Sequence, residues 1–183
     1  SDASTLQSGD KLVIASYAKD KVAGDISSSI MSSNESTFAT DGSEITSLSD
    51  SAVILTLGGT KDAWTLSNES GQKLGATAAK KLAWDGGTTT WSISISGDDA
   101  TIQNGTSSYG RFLYNVTSPR FTTYTSGTST SMLLPNLYRG GTSVPVYATS
   151  ISLPSIQTVY VGSTTQLTPT VEPHSAPAKK AVT

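Results

Sequence analysis

The carboxylates are the main candidates for acid–base chemistry in this sequence, because the chain has no cysteine and a single histidine, His174. The six that stand out are Asp41, Glu44, Asp62, Asp85, Asp98 and Asp99. Nearly all of them lie beside Gly, Ser or Asn, where Asp commonly forms turns through hydrogen bonds to nearby backbone. We therefore predict turns at these positions, with calcium binding and catalysis as the alternatives.

Metal and cofactor chemistry has little support in the residues present. One histidine without cysteine leaves too few ligands for zinc, and serine catalysis needs an imidazole beside its nucleophile. The segment GGTK at 58–61 lacks the spacing of a phosphate-binding loop. We expect no catalytic residue, no metal and no cofactor, and hence a protein that is not an enzyme.

Two aromatic–glycine motifs are the best candidates for ligand binding. They are WDGG at 84–87 and YGR at 109–111, and both fall on predicted loops. An exposed aromatic ring with hydrogen-bonding groups beside it can stack on a sugar ring. The candidate ligand-binding residues are therefore Trp84, Asp85, Tyr109 and Arg111, with a purely structural role as the alternative.

The composition excludes several classes of partner. Charged residues make up 14% of the 183 residues, against about a quarter in a typical domain. Ser and Thr form roughly a third of the chain and favour an extended, neutral, hydrated surface. With a net charge of −2 and no run of like charges, we expect no nucleic-acid partner. No apolar stretch approaches the ~20 residues of a membrane span, so we expect no membrane insertion.

The spacing of apolar residues predicts an all-β fold. Short alternating runs are bounded by Gly, Asn, Asp and Ser, and turns recur about every 8–12 residues, as in an antiparallel β-sandwich or flattened barrel. The predicted strands are 11–17, 52–57, 64–67, 73–77, 91–96, 100–103, 112–115, 120–124 and 132–138, with short strands near 30–31 and 38.

One strand and two strand pairs carry more specific predictions. The continuous apolar run at 52–57 indicates a central strand that is buried on both faces. Residues 64–77 and 91–103 each read as a hairpin. Their first strands begin with Trp64 and Trp91, which we expect to fill the core.

A boundary is predicted where Gly140-Gly141 and Pro145 interrupt the strand pattern. The β domain would then cover residues 1–139, followed by a linker at 140–148. Beyond it, residues 149–173 read TSISLPSIQTVYVGSTTQLTPTVEP and resemble the opening of a bacterial Ig-like group 2 domain. Ile151 and Leu153 match its first strand, 159–162 its second segment, and 166–173 its third. The resemblance implies an incomplete Ig-like domain over residues 149–183, since only the first third of the family pattern is present.

Residues 1–139 resemble an uncharacterised β-rich domain of secreted, multidomain bacterial proteins, on the stretches 64–77, 91–102 and 111–139. This resemblance implies an extracellular or cell-surface location, with an export signal outside the sequence, which begins at Ser1. It implies no site residues.

We expect a non-catalytic module for binding or adhesion, with a glycan or another surface protein as partner. One alternative is a structural subunit or spacer of a surface fibre, which self-associates by β-strand pairing through residues 149–173. The other is an accessory domain of a secreted hydrolase.

Overall fold

The computed structural model describes residues 3–140, 148–152, 170–173 and 178–180. These residues form strands and three one-turn 3-10 helices, so the predicted all-β class is confirmed. The strands are β1 (Lys11–Ser16), β2 (Lys21–Ser27), β3 (Ile30–Glu35), β4 (Thr37–Phe38), β5 (Glu44–Ser47), β6 (Leu55–Thr60), β7 (Ala63–Ser67), β8 (Leu74–Ala78), β9 (Lys81–Trp84), β10 (Trp91–Ser96), β11 (Asp99–Asn104), β12 (Arg111–Asn115), β13 (Arg120–Tyr124), β14 (Met132–Leu133), β15 (Asn136–Gly140), β16 (Ala148–Ser152), β17 (Thr170–Pro173) and β18 (Ala178–Lys180).

One large antiparallel sheet contains most of these strands, and part of it closes on itself. Its strand order is β2-β3-β13-β12-β11-β10-β7-β6-β1-β15-β18-β5-β4. Strand β1 pairs with β6 at Lys11 and Leu12, and also with β2 at Ala15 and Ser16. The path that starts at β2 therefore returns to it through β1, as in a flattened barrel.

Strand β1 is buried on both faces because it separates two cores. Leu12 and Ile14 point into the large core, while Val13 and Ala15 point into a smaller one that also contains Tyr138. The prediction of a two-sided strand at 52–57 is wrong. Strand β6 begins only at Leu55, and residues 52–54 are half-buried against the two cores without forming a strand.

The large core is organised around two tryptophans, as predicted. Trp64 and Trp91 lie opposite each other on β7 and β10 and are 6% and 0% exposed. The indole Nε1 of Trp91 donates a hydrogen bond to the carbonyl of Leu74 at 2.9 Å, and its ring centroid lies 5.2 Å from that of Phe112. Trp91 therefore joins the barrel wall to strand β8.

One of the two predicted hairpins is confirmed and the other is largely wrong. Strands β10 and β11 pair from Trp91 opposite Asn104 to Ser96 opposite Asp99, and a two-residue turn joins them. By contrast, β7 and β8 share only the isolated bridge between Ser67 and Lys73. Strand β7 pairs with β6 and β10 along its two edges, and β8 forms a separate two-stranded sheet with β9.

Backbone contacts divide the chain into two compact units. One contains residues 1–142 and 177–183, and the other contains residues 143–176. In the first unit, β18 lies between β15 and β5 and pairs with both. In the second, β16 pairs with β17, and apart from Ala148 both strands fall within the stretch that carries the Ig-like resemblance. The predicted domain boundaries and the Ig-like assignment stay predictions, and His174 lies outside the described residues.

Tyr138 in the smaller core is expected to make the fold less stable at alkaline pH. The Tyr138 hydroxyl donates to the carbonyl of Gly42 at 2.8 Å. Burial raises the pKa of this phenol above its ordinary value of about 10, and the negative charge of Asp98 raises it further. Above pH ~10 the unfolded chain ionises while the folded chain does not, so stability that is complete below pH ~10 is lost as the pH rises.

We therefore expect the free energy of unfolding to fall more steeply above pH ~10 in the natural chain than in Tyr138→Phe. The difference in slope should be about 1 kcal/mol per pH unit. Urea titrations at several pH values between about 9 and 11 measure both slopes. Parallel curves for the two proteins would show that the phenol of Tyr138 is not the responsible group.

Candidate functional site

Trp84 lies at the end of β9 and acts as a hydrogen-bond donor. It is half-buried, with its ring against the large core. Its indole Nε1 donates to Oδ1 of Asp25 at 2.8 Å. The contact joins the end of β9 to the solvent-exposed side of β2, although the two residues are far apart in sequence.

Asp25 is an exposed carboxylate whose orientation is set by two donors. Its Oδ1 accepts the indole N–H of Trp84 and also the backbone N–H of Ile26, the latter at 2.7 Å. Both hydrogen bonds go to the same oxygen. The second oxygen, Oδ2, has no hydrogen-bond partner within the described part of the chain, so it is free to accept from a ligand.

Asp25 lines an open pocket of about 450 Å³ that has an acidic side and an apolar side. Asp25, Asp50 and Glu69 contribute carboxylates, and all three residues are exposed. The remaining lining residues are Asn68, Ser49 and Ser70 on the polar side, and Leu48, Ala52, Val53 and Ile54 on the apolar side. Among the described residues no lysine or arginine lines it, and the charged groups at its wall are carboxylates.

Asp85 belongs to a turn and does not line this pocket. Its backbone adopts a φ of 53°, its N–H donates to the carbonyl of Lys73 at 2.7 Å, and its Oδ1 accepts the N–H of Lys73 at 2.8 Å. The carboxylate therefore holds the start of β8 against the end of β9. This is the turn chemistry that its neighbours Gly86 and Gly87 indicate.

The glycine pair that follows Asp85 lets the chain cross over β8. Thr88 bridges Ala76 on the edge of β8 opposite to β9. The carbonyl of Gly86 lies so close to Gly75 that any Cβ there would collide with it. The Gly75 and Gly86–Gly87 positions thus have a structural explanation, because only glycine allows this backbone approach.

Tyr109 and Arg111 lie at a different place in the barrel. Tyr109 ends the 3-10 helix Ser107–Tyr109 and packs, half-buried, against the large core. Gly110, with a φ of 84°, lies against the backbone of Tyr124. Arg111 begins β12 directly opposite Tyr124 on β13. The YGR motif therefore places an arginine beside a buried tyrosine.

The four predicted residues do not form a single site. Lys80, which precedes β9, lies beside Tyr124, whereas Trp84 ends β9 four residues later. Four residues of extended strand span about 13 Å. Trp84 thus contacts Asp25 at the pocket with the three carboxylates, which we call the acidic pocket, whereas Arg111 lies beside Tyr124. The ligand-binding role of all four stays a prediction.

No family model, curated protein or solved structure matches this chain.

Two further pockets differ from the acidic pocket in their lining. One, of about 500 Å³, is lined by Phe38 and Leu48 with Asp20 and Glu35, and Glu35 already forms an ion pair with Lys21. The other, of about 330 Å³, is lined mainly by the loop that contains β14. Neither of them contains a carboxylate held by a tryptophan N–H.

The described residues contain neither a cluster of metal ligands nor a membrane-spanning helix. Nowhere in residues 3–140 or the shorter described segments do three or more His, Asp or Glu side chains gather as metal ligands. The same residues contain no helix with the length and apolarity to cross a membrane.

The sequence did not lead us to select Asp25, which contacts Trp84, or Lys80, Arg120 and Tyr124, which lie near Arg111. Asp25 lies in a Ser-rich stretch where β2 was not predicted, so nothing marked it as a neighbour of Trp84. Lys80 lies in an Ala-rich turn with a φ of 64°. Arg120 and Tyr124 did carry a signal, since they share one face of a predicted strand with period two.

Proposed function

We propose that residues 1–139 form a non-catalytic binding domain of an exported bacterial cell-surface protein, and that the acidic pocket takes a neutral glycan. One observation carries the proposal. Asp25 lines the pocket, its Oδ1 accepts the N–H groups of Trp84 and Ile26, and its Oδ2 has no partner among residues 3–140. An acceptor that is oriented before binding loses little freedom when a ligand arrives.

The pocket wall favours a polyhydroxylated and uncharged ligand. Carboxylates accept hydrogen bonds from sugar hydroxyls, and those of Asp50 and Glu69 make no hydrogen bond within residues 3–140. The apolar side formed by Val53 and Ile54 suits the C–H face of a sugar ring. Because the described lining residues include three carboxylates and no cation, an acidic sugar would meet repulsion.

Trp84 supports this site in a way that differs from ring stacking. Its ring packs against the large core, and its N–H fixes Asp25. It is thus a positioning residue for the carboxylate. Replacement by phenylalanine keeps an aromatic ring in the core and removes the donor, which separates the two roles.

A glycan array of the full chain, followed by calorimetry on the best neutral glycan, tests the proposal. We expect Asp25→Asn to weaken binding by about 10- to 100-fold, because a charge-assisted hydrogen bond is lost. Trp84→Phe should weaken it by about threefold to tenfold, since the carboxylate loses one of its two donors.

Asp62→Asn is the matched control, because Asp62 is an exposed carboxylate on the turn between β6 and β7 with a φ of 70°, which asparagine also tolerates. It should bind as the natural chain does. Asp25→Asn with unchanged affinity, or an array that is blank for neutral glycans, would contradict the proposal.

A structural role in a surface fibre is the second candidate, and one observation favours it. The three-residue strand β18 lies between β15 and β5, although it is far from β5 in sequence. Such a position can also accept a strand from a neighbouring subunit. Sedimentation of the full chain separates the candidates, since a fibre subunit forms polymers and a binding module stays small. An accessory role beside a hydrolase is compatible with glycan binding.

A further inference from the structure

Three cationic residues lie around Tyr124. Lys80 Nζ lies 5.5 Å from the ring centroid, and Arg120 Nε donates to the hydroxyl at 3.0 Å. Arg111 lies directly opposite Tyr124 in the β12–β13 pair, so the two side chains share one face of the sheet. None of the three cations has a carboxylate partner within residues 3–140, where the ion pairs are Lys21–Glu35 and Arg139–Asp10.

The hydroxyl of Tyr124 donates to no acceptor among residues 3–140. Tyr124 is 4% exposed, and its oxygen accepts from Arg120 Nε and from Asn115 Nδ2, the latter at 3.2 Å. The orientation of the Asn115 amide is fixed, because its Oδ1 accepts the N–H of Ser118 at 2.9 Å. Both nitrogens therefore act as donors, and the described residues offer no acceptor for the phenolic proton.

Arg111 provides a second buried donor that lacks a partner. Its Nε is shielded from solvent and makes no hydrogen bond within the described chain. A buried donor without an acceptor is destabilising, and native proteins contain few of them. The Tyr124 hydroxyl and Arg111 Nε both lack an acceptor among the described residues, and Lys80 and Arg120 lie beside them without a carboxylate partner. This arrangement indicates that an anionic acceptor comes from outside the chain.

We propose that Arg111, Arg120, Lys80 and the hydroxyl of Tyr124 bind an oxyanion, which is a sulfate, phosphate or carboxylate group. The planar guanidinium groups present paired N–H donors that match such oxygens, and Lys80 adds a point charge from the exposed rim. This site is separate from the acidic pocket, since Lys80 and Trp84 lie at opposite ends of β9. The proposal does not rest on glycan binding at Asp25.

Titration of the ¹⁵N-labelled full chain with sodium sulfate, sodium phosphate and sodium acetate tests the site. Chloride keeps the ionic strength constant, and the Nε–Hε resonances of Arg111 and Arg120 report on binding. We expect a saturable shift of both resonances, with a dissociation constant of about 1–10 mM for the preferred anion. Saturation by sulfate or phosphate identifies a tetrahedral group, and saturation by acetate alone identifies a carboxylate.

Charge-removing variants decide whether the cluster is responsible. Arg111→Gln should weaken binding by about tenfold and Lys80→Gln by about threefold. Lys80 is exposed, so the second variant keeps the fold even if the first does not. Lys61→Gln, on the exposed turn after β6, is the control and should bind as the natural chain does. Shifts that never saturate for any anion, or equal affinity in Lys80→Gln and the natural chain, would overturn the proposal.

Discussion

Replacement of Trp91 by alanine is expected to lower the free energy of unfolding by about 3–5 kcal/mol. The side chain is 0% exposed and packs against Phe112. Truncation removes this buried area and leaves a cavity that strands β7 and β10 cannot close, because both are held in the barrel wall. It also leaves the carbonyl of Leu74 without its indole donor.

Trp91→Phe separates packing from the hydrogen bond. The phenyl ring keeps much of the apolar contact, but the carbonyl of Leu74 still loses its partner. We expect a loss of about 1–3 kcal/mol, well below that of the alanine variant. Urea titrations followed by circular dichroism measure both losses. If Trp91→Ala cost less than about 1 kcal/mol, the assignment of Trp91 to the centre of the large core would be wrong.

Gly75→Ala is expected to cost about 3 kcal/mol, the second-largest effect of the variants considered. A Cβ at position 75 would collide with the carbonyl of Gly86, which is backbone and cannot rotate away. The segment from Asp85 to Gly87 would have to lift off β8. The bridge between Ala76 and Thr88 would then weaken or break. Urea titration of this variant beside the natural chain measures the loss.

Gly127→Ala is the matched control for this substitution. A methyl group added at Gly127 would meet no atom within 4 Å, and the residue does not adopt a positive φ, so the change in stability should stay within about 0.5 kcal/mol. The comparison isolates steric contact from the general entropy difference between glycine and alanine. Equal stability of the two variants would mean that the chain does not cross over β8 at Gly75.

The Gly75 substitution also connects the fold to the proposed pocket. Trp84 immediately precedes the crossing segment, and its N–H holds Asp25. Displacement of residues 85–87 is therefore expected to loosen this contact as well as the fold. The crossing is a structural requirement for the site, although none of its glycines lines the pocket.

Local sequence predicted strands well where the turn residues were typical. The Gly97-Asp98 turn marked the β10–β11 hairpin, and Trp91 marked its buried face. The β2–β3 hairpin was missed because Ser28 and Ser29, with φ values of 51° and 66°, form its two-residue turn in place of the usual Asn-Gly. Strand β9 was missed for the same reason, since Lys80 adopts the left-handed conformation at its turn.

The amino-acid sequence by itself determined the all-β class, the burial of Trp64 and Trp91, and the turn role of Asp85. These follow from period-two alternation and from backbone preferences that act over a few residues. The tertiary structure alone decided which strand is buried on both faces and that β7 pairs with β6 and β10. It also decided that Asp25 contacts Trp84, and that Lys80, Arg111 and Arg120 lie around Tyr124. Those pairings depend on how the barrel closes, and closure brings together residues whose separation along the chain leaves no local pattern.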